Sequence, residues 1–368
     1  MKDRRTLIYL VLISIFLLSM MTLMISAESS EKTNAKAFAL YNPELDTFIC
    51  DKNIDLRLPM ASTTKIMTAL IAIERLNPDE KITVPSEATG IEGSSIYLSP
   101  GDVISVRDLI YSVLLQSAND AATALAIRIS GNIEAFAEVM NQRAAEIGAT
   151  NTNFENPHGL DSENHYTTAK DLALIASAAL KNEIFRKISS TYKYSFTMGE
   201  KNRILVNHNK LLTQYDGCIG VKTGYTKKCG RCLVSAAYRD GVTLIAVTLS
   251  DPNDWRDHTD LLNVGFSTLE AINVVKEAEL PETLTVMMGA KDSAKIVVRD
   301  SDKYLVRNKT SDTPEFTVQL PPYLIKSVKS GDVIGRITVK EGNDTRIIDI
   351  IALEDVKAKS NSFPLFAK

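Results

Sequence analysis

Two periods of hydrophobicity organise the chain. Over residues 37–50 the period is two: Phe38 and Leu40 alternate with alanines, Asn42-Pro43-Glu44 turns the chain, and Thr47-Phe48-Ile49 returns, which predicts a hairpin. After Pro59 the period becomes helical. Ser62 stands at the head of a stretch in which Ile66, Met67, Leu70 and Ile71 share one face. A short strand at 82–84 and a Gly/Ser-rich stretch at 90–95 follow. Three helices come next. The first opens at Ser105 with Asp108 as its capping pair and breaks over 116–120. The second, over 121–129, is apolar nearly all round and is therefore expected to be central and buried. The third carries Phe136, Val139, Met140 and Ile147 and stops at Gly148. Beyond a turn-rich segment, Thr168 with Asp171 opens a helix to Leu180, and a short helix near Ile184 precedes strand-like alternation over 192–205. Residues 217–225 lead into strands at 233–238 and 242–249, joined by the hairpin signal Asp240-Gly241, and a helix is expected from about Trp255 to Val275.

Past a presumed linker at 276–281 the pattern turns to short β runs around Leu284, Ile296, Leu305, Val318, 333–340 and 346–352. This predicts a small all-β, sandwich-like domain over 276–356, with a tail at 357–368. The larger segment, 34–275, has helices between an N-terminal hairpin and a C-terminal set of strands. That order predicts an α/β (α+β) domain with a mainly antiparallel sheet and a helical subdomain.

The N-terminus alters the picture of where the chain works. Lys2, Arg4 and Arg5 precede an apolar run from Leu7 to Ile25, followed by Ser26-Ala27-Glu28. Residues 1–27 read as an export signal cleaved after Ala27. The run is nearly long enough to span a bilayer, so a retained N-terminal anchor is the alternative. Either way the remainder is expected outside the cytoplasm, secreted or peripherally attached to the outer face of the cell membrane. A net charge of −3 with 24% charged residues gives no footing for a nucleic-acid partner.

The candidate chemistry starts at Ser62 and Lys65. Residues three apart on a helix share a face, so Lys65 lies over Ser62. A buried lysine, or one beside another cation, can be neutral enough to take the serine proton, and a helix N-terminus offers N–H groups to a developing oxyanion. Alone, Ser-x-x-Lys reads as a capping serine followed by a solvated lysine. Its standing comes from two further motifs in order: Ser117-Ala118-Asn119 between helices, and Lys222-Thr223-Gly224 on a strand.

Residues about 34 to 275 thereby resemble the low-molecular-mass penicillin-binding proteins that act as serine D-alanyl-D-alanine carboxypeptidases of bacterial cell-wall maturation. The trailing β domain is similar to that family's C-terminal domain. Pro59-x-Ala61-Ser62-x-x-Lys65, Asn156-Pro157-His158-Gly159-Leu160 and Asp216-Gly217 leading to Lys222-Thr223-Gly224-Tyr225-Thr226 carry the likeness. The resemblance implies Ser62 as nucleophile, Lys65 as general base, Ser117 as proton relay and Asn119 as a holder of Lys65 and substrate. It implies that Lys222 and Thr223 receive the substrate carboxylate, that Gly224 leaves room at the strand edge, that Tyr225 joins Ser62 in an oxyanion hole, and that Arg256 is a second carboxylate contact. The implied partners are a peptidoglycan stem peptide ending in D-Ala-D-Ala and β-lactam antibiotics; no cofactor is implied. The middle motif is Ser-Ala-Asn rather than Ser-Asp-Asn, and the chemistry sits at its two ends. No Glu-x-x-Leu-Asn segment lies between Asn119 and Lys222, so rapid β-lactam hydrolysis is not expected.

The histidines, His158, His165, His208 and His258, have no metal-ligand spacing, and His158 and His165 read as structural loop or pocket-wall residues. Cys229-Gly230-Arg231-Cys232 admits three readings: coincidence, a disulfide, or a metal site with Cys218. It falls at a strand turn, whereas a redox motif would sit at a helix start.

Overall fold

A computed structural model describes residues 33–325 and 327–359. Residues 1–32, which include the expected export signal, and residues 360–368 of the tail lie outside them. No helix among the described residues is long and apolar enough to cross a membrane. The described residues divide into two compact units, residues 33–239 with 243–267, and 240–242 with 268–359.

The first unit is built on a five-stranded antiparallel sheet. Its strands are β1 (Ala37–Asn42), β2 (Thr47–Lys52), β7 (Cys218–Thr226), β8 (Gly230–Arg239) and β9 (Val242–Leu249), in the order β2-β1-β9-β8-β7. Both ends of the segment thus feed one sheet, and β7 forms one of its edges. Two-stranded ribbons lie outside it: β3 (Lys81–Thr83) with β4 (Val103–Ser105), and β5 (Lys193–Met198) with β6 (Lys201–Val206).

The helices are α1 (Lys65–Arg75), α2 (Val106–Leu115), α3 (Asn119–Ser130), α4 (Ile133–Ile147), α5 (Ala169–Lys181), α6 (Glu183–Ser189), α7 (Leu211–Gln214) and α8 (Asp254–Thr268). β1 is buried along its whole length because both sheet faces are covered. Ala37, Ala39 and Tyr41 join the core shared with the helices, while Leu40 turns towards Gly265 of α8. Small Ala37 and Ala39 on the helical face let α5 approach β1 closely.

Capping followed the local sequence. Ser105 accepts the Asp108 N–H at 3.1 Å, Thr168 accepts that of Asp171 at 3.0 Å, and α4 starts on Asn132 and stops at Gly148 with φ +90°. Asn119 and Asp120, expected in the break, are instead the first residues of α3, so the break shrinks to residues 116–118. From Asn119 to Ala126 every residue of that helix is buried, as its all-round apolarity predicts.

The second unit departs from expectation at its start. Helix α8 ends at Thr268 rather than Val275, and Leu269–Asn273 leaves as strand β10, paired with β13 (Tyr304–Asn308). The apolar positions Leu269, Ile272, Val274 and Val275 suit a helix as well as a strand; a partner more than thirty residues downstream decides for the strand. The segment read as a linker holds a single turn, α9 (Val274–Glu277), and Val274, Ala278 and Leu280 are core residues of this unit. The main sheet has the order β11-β12-β16-β15-β14, from β11 (Thr283–Thr285), β12 (Ser293–Val298), β14 (Glu315–Gln319), β15 (Val333–Glu341) and β16 (Asp344–Ala352).

Phe136 is fully buried on α4 in the core of the first unit. Phe136→Ala is expected to destabilise that unit by about 3–5 kcal/mol, read as a lowered denaturation midpoint in urea.

Candidate active site

A single 3₁₀ turn, Ala61–Thr64, delivers Ser62 and runs straight into α1. Ala61 takes φ +47°, a left-handed conformation unfavourable for a residue with a side chain and held here by its surroundings. Lys65 is wholly buried, and its Nζ lies 3.0 Å from Ser62 Oγ. The amine also donates to the backbone carbonyl of His158. Burial pushes the Lys65 amine well below its ordinary value, the nearby Lys222 adds to this, and Asp120 opposes it. A neutral amine keeps one N–H for the carbonyl and turns its lone pair towards the serine hydroxyl.

The loop at 156–160 seats the Ser62 turn. Asn156 Oδ1 accepts the N–H of Gly159 at 2.7 Å and of His158 at 3.3 Å, and its Nδ2 donates to Leu160 O at 3.0 Å. Thr68 Oγ1 donates to Pro157 O at 2.6 Å. Gly159 has φ +85°, and a Cβ there would stand 1.9 Å from the carbonyl oxygen of Ala61. Only glycine permits this contact.

Behind it, His165 Nδ1 accepts the Glu155 N–H at 3.0 Å, which leaves the proton on Nε2 for Thr64 Oγ1 at 2.8 Å. Burial lowers His158 to about 3 and His165 to about 4, so both are neutral. His258 is buried between Ser235 and Thr248. The His165 and His258 contacts are braces, in line with the structural reading of His165.

Ser117 lies in the break between α2 and α3, buried, with φ +59°. Asn119 Nδ2 donates to Glu92 O, which fixes the amide orientation, and Asn119 Oδ1 is buried with no partner among the described residues. Asp120 holds the facing loop: its carboxylate accepts from Ser95 Oγ at 2.6 Å, Leu98 N at 3.0 Å and Ile96 N at 3.2 Å. Sequence reasoning gave neither Asp120 nor the Gly/Ser-rich loop a part in the site. The legible signal was an acid directly after Ser-x-Asn at a helix start.

Lys222, Thr223, Gly224 and Tyr225 lie on the edge strand β7. Lys222 is buried, donates to Thr223 O at 2.9 Å, and burial brings its amine down to about 7. A Cβ on Gly224 would meet Met60 O and Ser62 N, each at 3.1 Å, so this strand touches the Ser62 turn directly. Tyr225 is exposed. Arg256 stands apart: its side chain is 83% exposed and pairs with Asp260 on its own helix at 3.8 Å. Helix geometry turns it to solvent, and no described contact brings it to Ser62 or Lys222.

Comparison with known proteins bears on this arrangement. Residues 24–253 match the model of the D-alanyl-D-alanine carboxypeptidase family, and residues 269–358 match the penicillin-binding protein 5 C-terminal domain. D-alanyl-D-alanine carboxypeptidase DacF of Bacillus subtilis is 30% identical over 362 residues, 94% of this chain and 93% of the relative. Among solved structures, D-alanyl-D-alanine carboxypeptidase DacD of Francisella tularensis has a TM-score of 0.64 at 28% identity, covering 89% of this chain and 95% of that one. Penicillin-binding protein 5 of Haemophilus influenzae has a TM-score of 0.65 at 27% identity, covering 89% and 98%. With a buried lysine set against a serine, two further motifs around them and family matches over both units, the chain belongs to the D-alanyl-D-alanine carboxypeptidase family of low-molecular-mass penicillin-binding proteins.

Proposed function

We propose that the protein removes the terminal D-alanine from peptidoglycan stem peptides ending in D-Ala-D-Ala, through an acyl-enzyme on Ser62. The observation that carries this reading is the buried Lys65 amine 3.0 Å from Ser62 Oγ, with the Lys222 strand against the same turn. The substrate's end lies along the open edge of β7, as an added strand beside it. Its terminal carboxylate meets Lys222 in its charged form and Thr223. Lys65 takes the Ser62 proton as Oγ attacks the carbonyl carbon of the penultimate residue. The backbone N–H groups of Ser62 and Tyr225 receive the oxyanion; losing one such donor costs about 10²–10³ in rate.

Collapse of the tetrahedral adduct breaks the peptide bond, with Ser117 passing a proton to the departing D-alanine amine. Asn119 Oδ1, which has no partner among the described residues, takes a substrate N–H. Water then hydrolyses the ester with Lys65 again as base. A β-lactam enters the same path and stops at the ester, because no Glu-x-x-Leu-Asn segment lies between Asn119 and Lys222 to supply a glutamate that activates water against it. The basic, apolar N-terminus supports a site of action outside the cytoplasm, at or near the outer face of the cell membrane.

Mass spectrometry after penicillin addition, together with an assay of free D-alanine from a D-Ala-D-Ala peptide, tests the reading. An adduct on Ser62 and released D-alanine are expected; absence of both would sink it.

Lys65→Ala should lower the acylation rate by about 10²–10⁴-fold, the range of a lost general base. Lys222→Ala should cost roughly tenfold to a hundredfold in kcat/KM for a free-carboxylate peptide, the size of a lost charge-assisted hydrogen bond, and much less for a C-terminally amidated one.

The pH profile of kcat/KM should be bell-shaped. Lys65 acts neutral, so activity is present above its lowered pKa and is lost as pH falls through it. Lys222 acts charged, so carboxylate recognition is present below about 7 in the free enzyme and weakens as pH rises through that value. Lys222→Ala should remove the alkaline limb.

Gly159→Ala should lower acylation while leaving the second unit folded, since a Cβ there collides with backbone beside Ser62.

A further inference from the structure

The cysteine pair left over from the motifs lies against the active site. Cys229 occupies the three-residue turn between β7 and β8, after the exposed Lys227 and Lys228, and Cys232 is on β8. Their sulfurs are 3.9 Å apart and unbonded. A disulfide needs about 2.05 Å between sulfurs, so closure asks for an approach of about 2 Å, within reach of side-chain rotation and a small shift of the turn.

Cys232 is the register partner of Gly224, so both residues face the same side of the sheet. That side carries the Ser62 turn: the missing Gly224 Cβ points at Ser62 N and Met60 O, and Cys232 Sγ lies 3.9 Å from Pro59 O. The turn itself is tied to the site loop. Thr226 Oγ1 accepts the Cys229 N–H at 3.1 Å and donates to Asp161 Oδ1 at 2.9 Å. Tyr225, whose N–H is assigned to the oxyanion hole, is the residue before that tether.

We propose that Cys229 and Cys232 are a reversible dithiol–disulfide pair, oxidised by exchange with an external disulfide, and that the oxidised form acylates Ser62 more slowly. The electronic setting favours Cys229 as attacking group. A hydrogen bond from Cys232 lowers the Cys229 thiol, while the same contact and burial raise Cys232. Cys229 thiolate attacks one sulfur of the external disulfide, forms a mixed disulfide and releases one thiolate. Cys232 then gives up its proton to solvent base and attacks Cys229 Sγ, which releases the second thiolate. Two protein thiols are oxidised and one external disulfide is reduced to two thiols. Attack follows local opening of the turn, because both cysteines are buried. Closing the bond draws Cys232 Sγ towards the turn and shifts the Thr226 tether, displacing the oxyanion donor beside it.

The slowed acylation rests on the reading of Ser62 as nucleophile; the disulfide itself does not, so thiol and rate measurements are made separately. The folded full-length protein is equilibrated with oxidised glutathione, alkylated and mapped by mass spectrometry. A 229–232 disulfide, the mass of two hydrogen atoms lost, and reversal by dithiothreitol are expected, with C229S and C232S each blocking it. The rate of fluorescent penicillin labelling should fall by about tenfold to a hundredfold on oxidation and recover on reduction, the upper figure being the cost of a donor misplaced by about 1 Å. C229S should label at the reduced enzyme's rate in both conditions. Both thiols still alkylatable, or a glutathione adduct on Cys229 that Cys232 never resolves, would overturn the pair. A mapped disulfide with unchanged labelling would overturn its coupling to Ser62. No labelling at all of the reduced enzyme would instead refute the serine reading and leave the mapped disulfide standing.

Discussion

A lysine amine without water around it is the constraint that the first unit answers to. An ammonium at Lys65 would carry a desolvation penalty of several kcal/mol, and a second buried amine, Lys222, makes a charge there still less favourable. The neutral form is what this environment tolerates, and a neutral amine is a base. The remaining parts keep that condition stable. The His158 carbonyl takes one N–H, and Asn156 shapes the loop that presents it. Neutral His165 braces Thr64 without adding a charge. Asp120 is a counterweight, and four hydrogen-bond donors share its carboxylate, which blunts its pull on the lysine.

Distances in the site are set by two missing side chains. Gly159 and Gly224 let the 156–160 loop and strand β7 press on the same turn from different directions. A methyl at Gly159 would collide with the Ala61 backbone, where no rotamer offers an escape, and one at Gly224 would push the Ser62 turn back by a few tenths of an ångström. Glycine therefore works here by close approach, and at Gly159 by its left-handed backbone as well.

Much of this was legible in the sequence because it was written locally. Ser105 with Asp108, Thr168 with Asp171, and Gly148 mark helix ends by their own chemistry, and the structure puts boundaries there. The three short motifs were legible through their order and their elements. What local patterning could not carry was pairing at a distance. Leu269–Asn273 has a helix-compatible pattern and becomes strand only because Tyr304–Asn308 lies beside it. Asp120 looks like an ordinary first-turn acid until the 95–98 loop folds over it. The position of β7 at a sheet edge depends on the order of five strands from both ends of the segment.

The left-handed backbones of Ala61 and Ser117 have a consequence for how such a chain can change. Each holds the native state above the energy it could reach, by about 1–3 kcal/mol apiece. Substitutions that relieve these tensions are open to any search for a hardier protein, and they lie where turnover would suffer. Thermal robustness and chemical competence therefore pull in opposite directions at these few positions, and improvement of one without loss of the other must come from elsewhere in the fold.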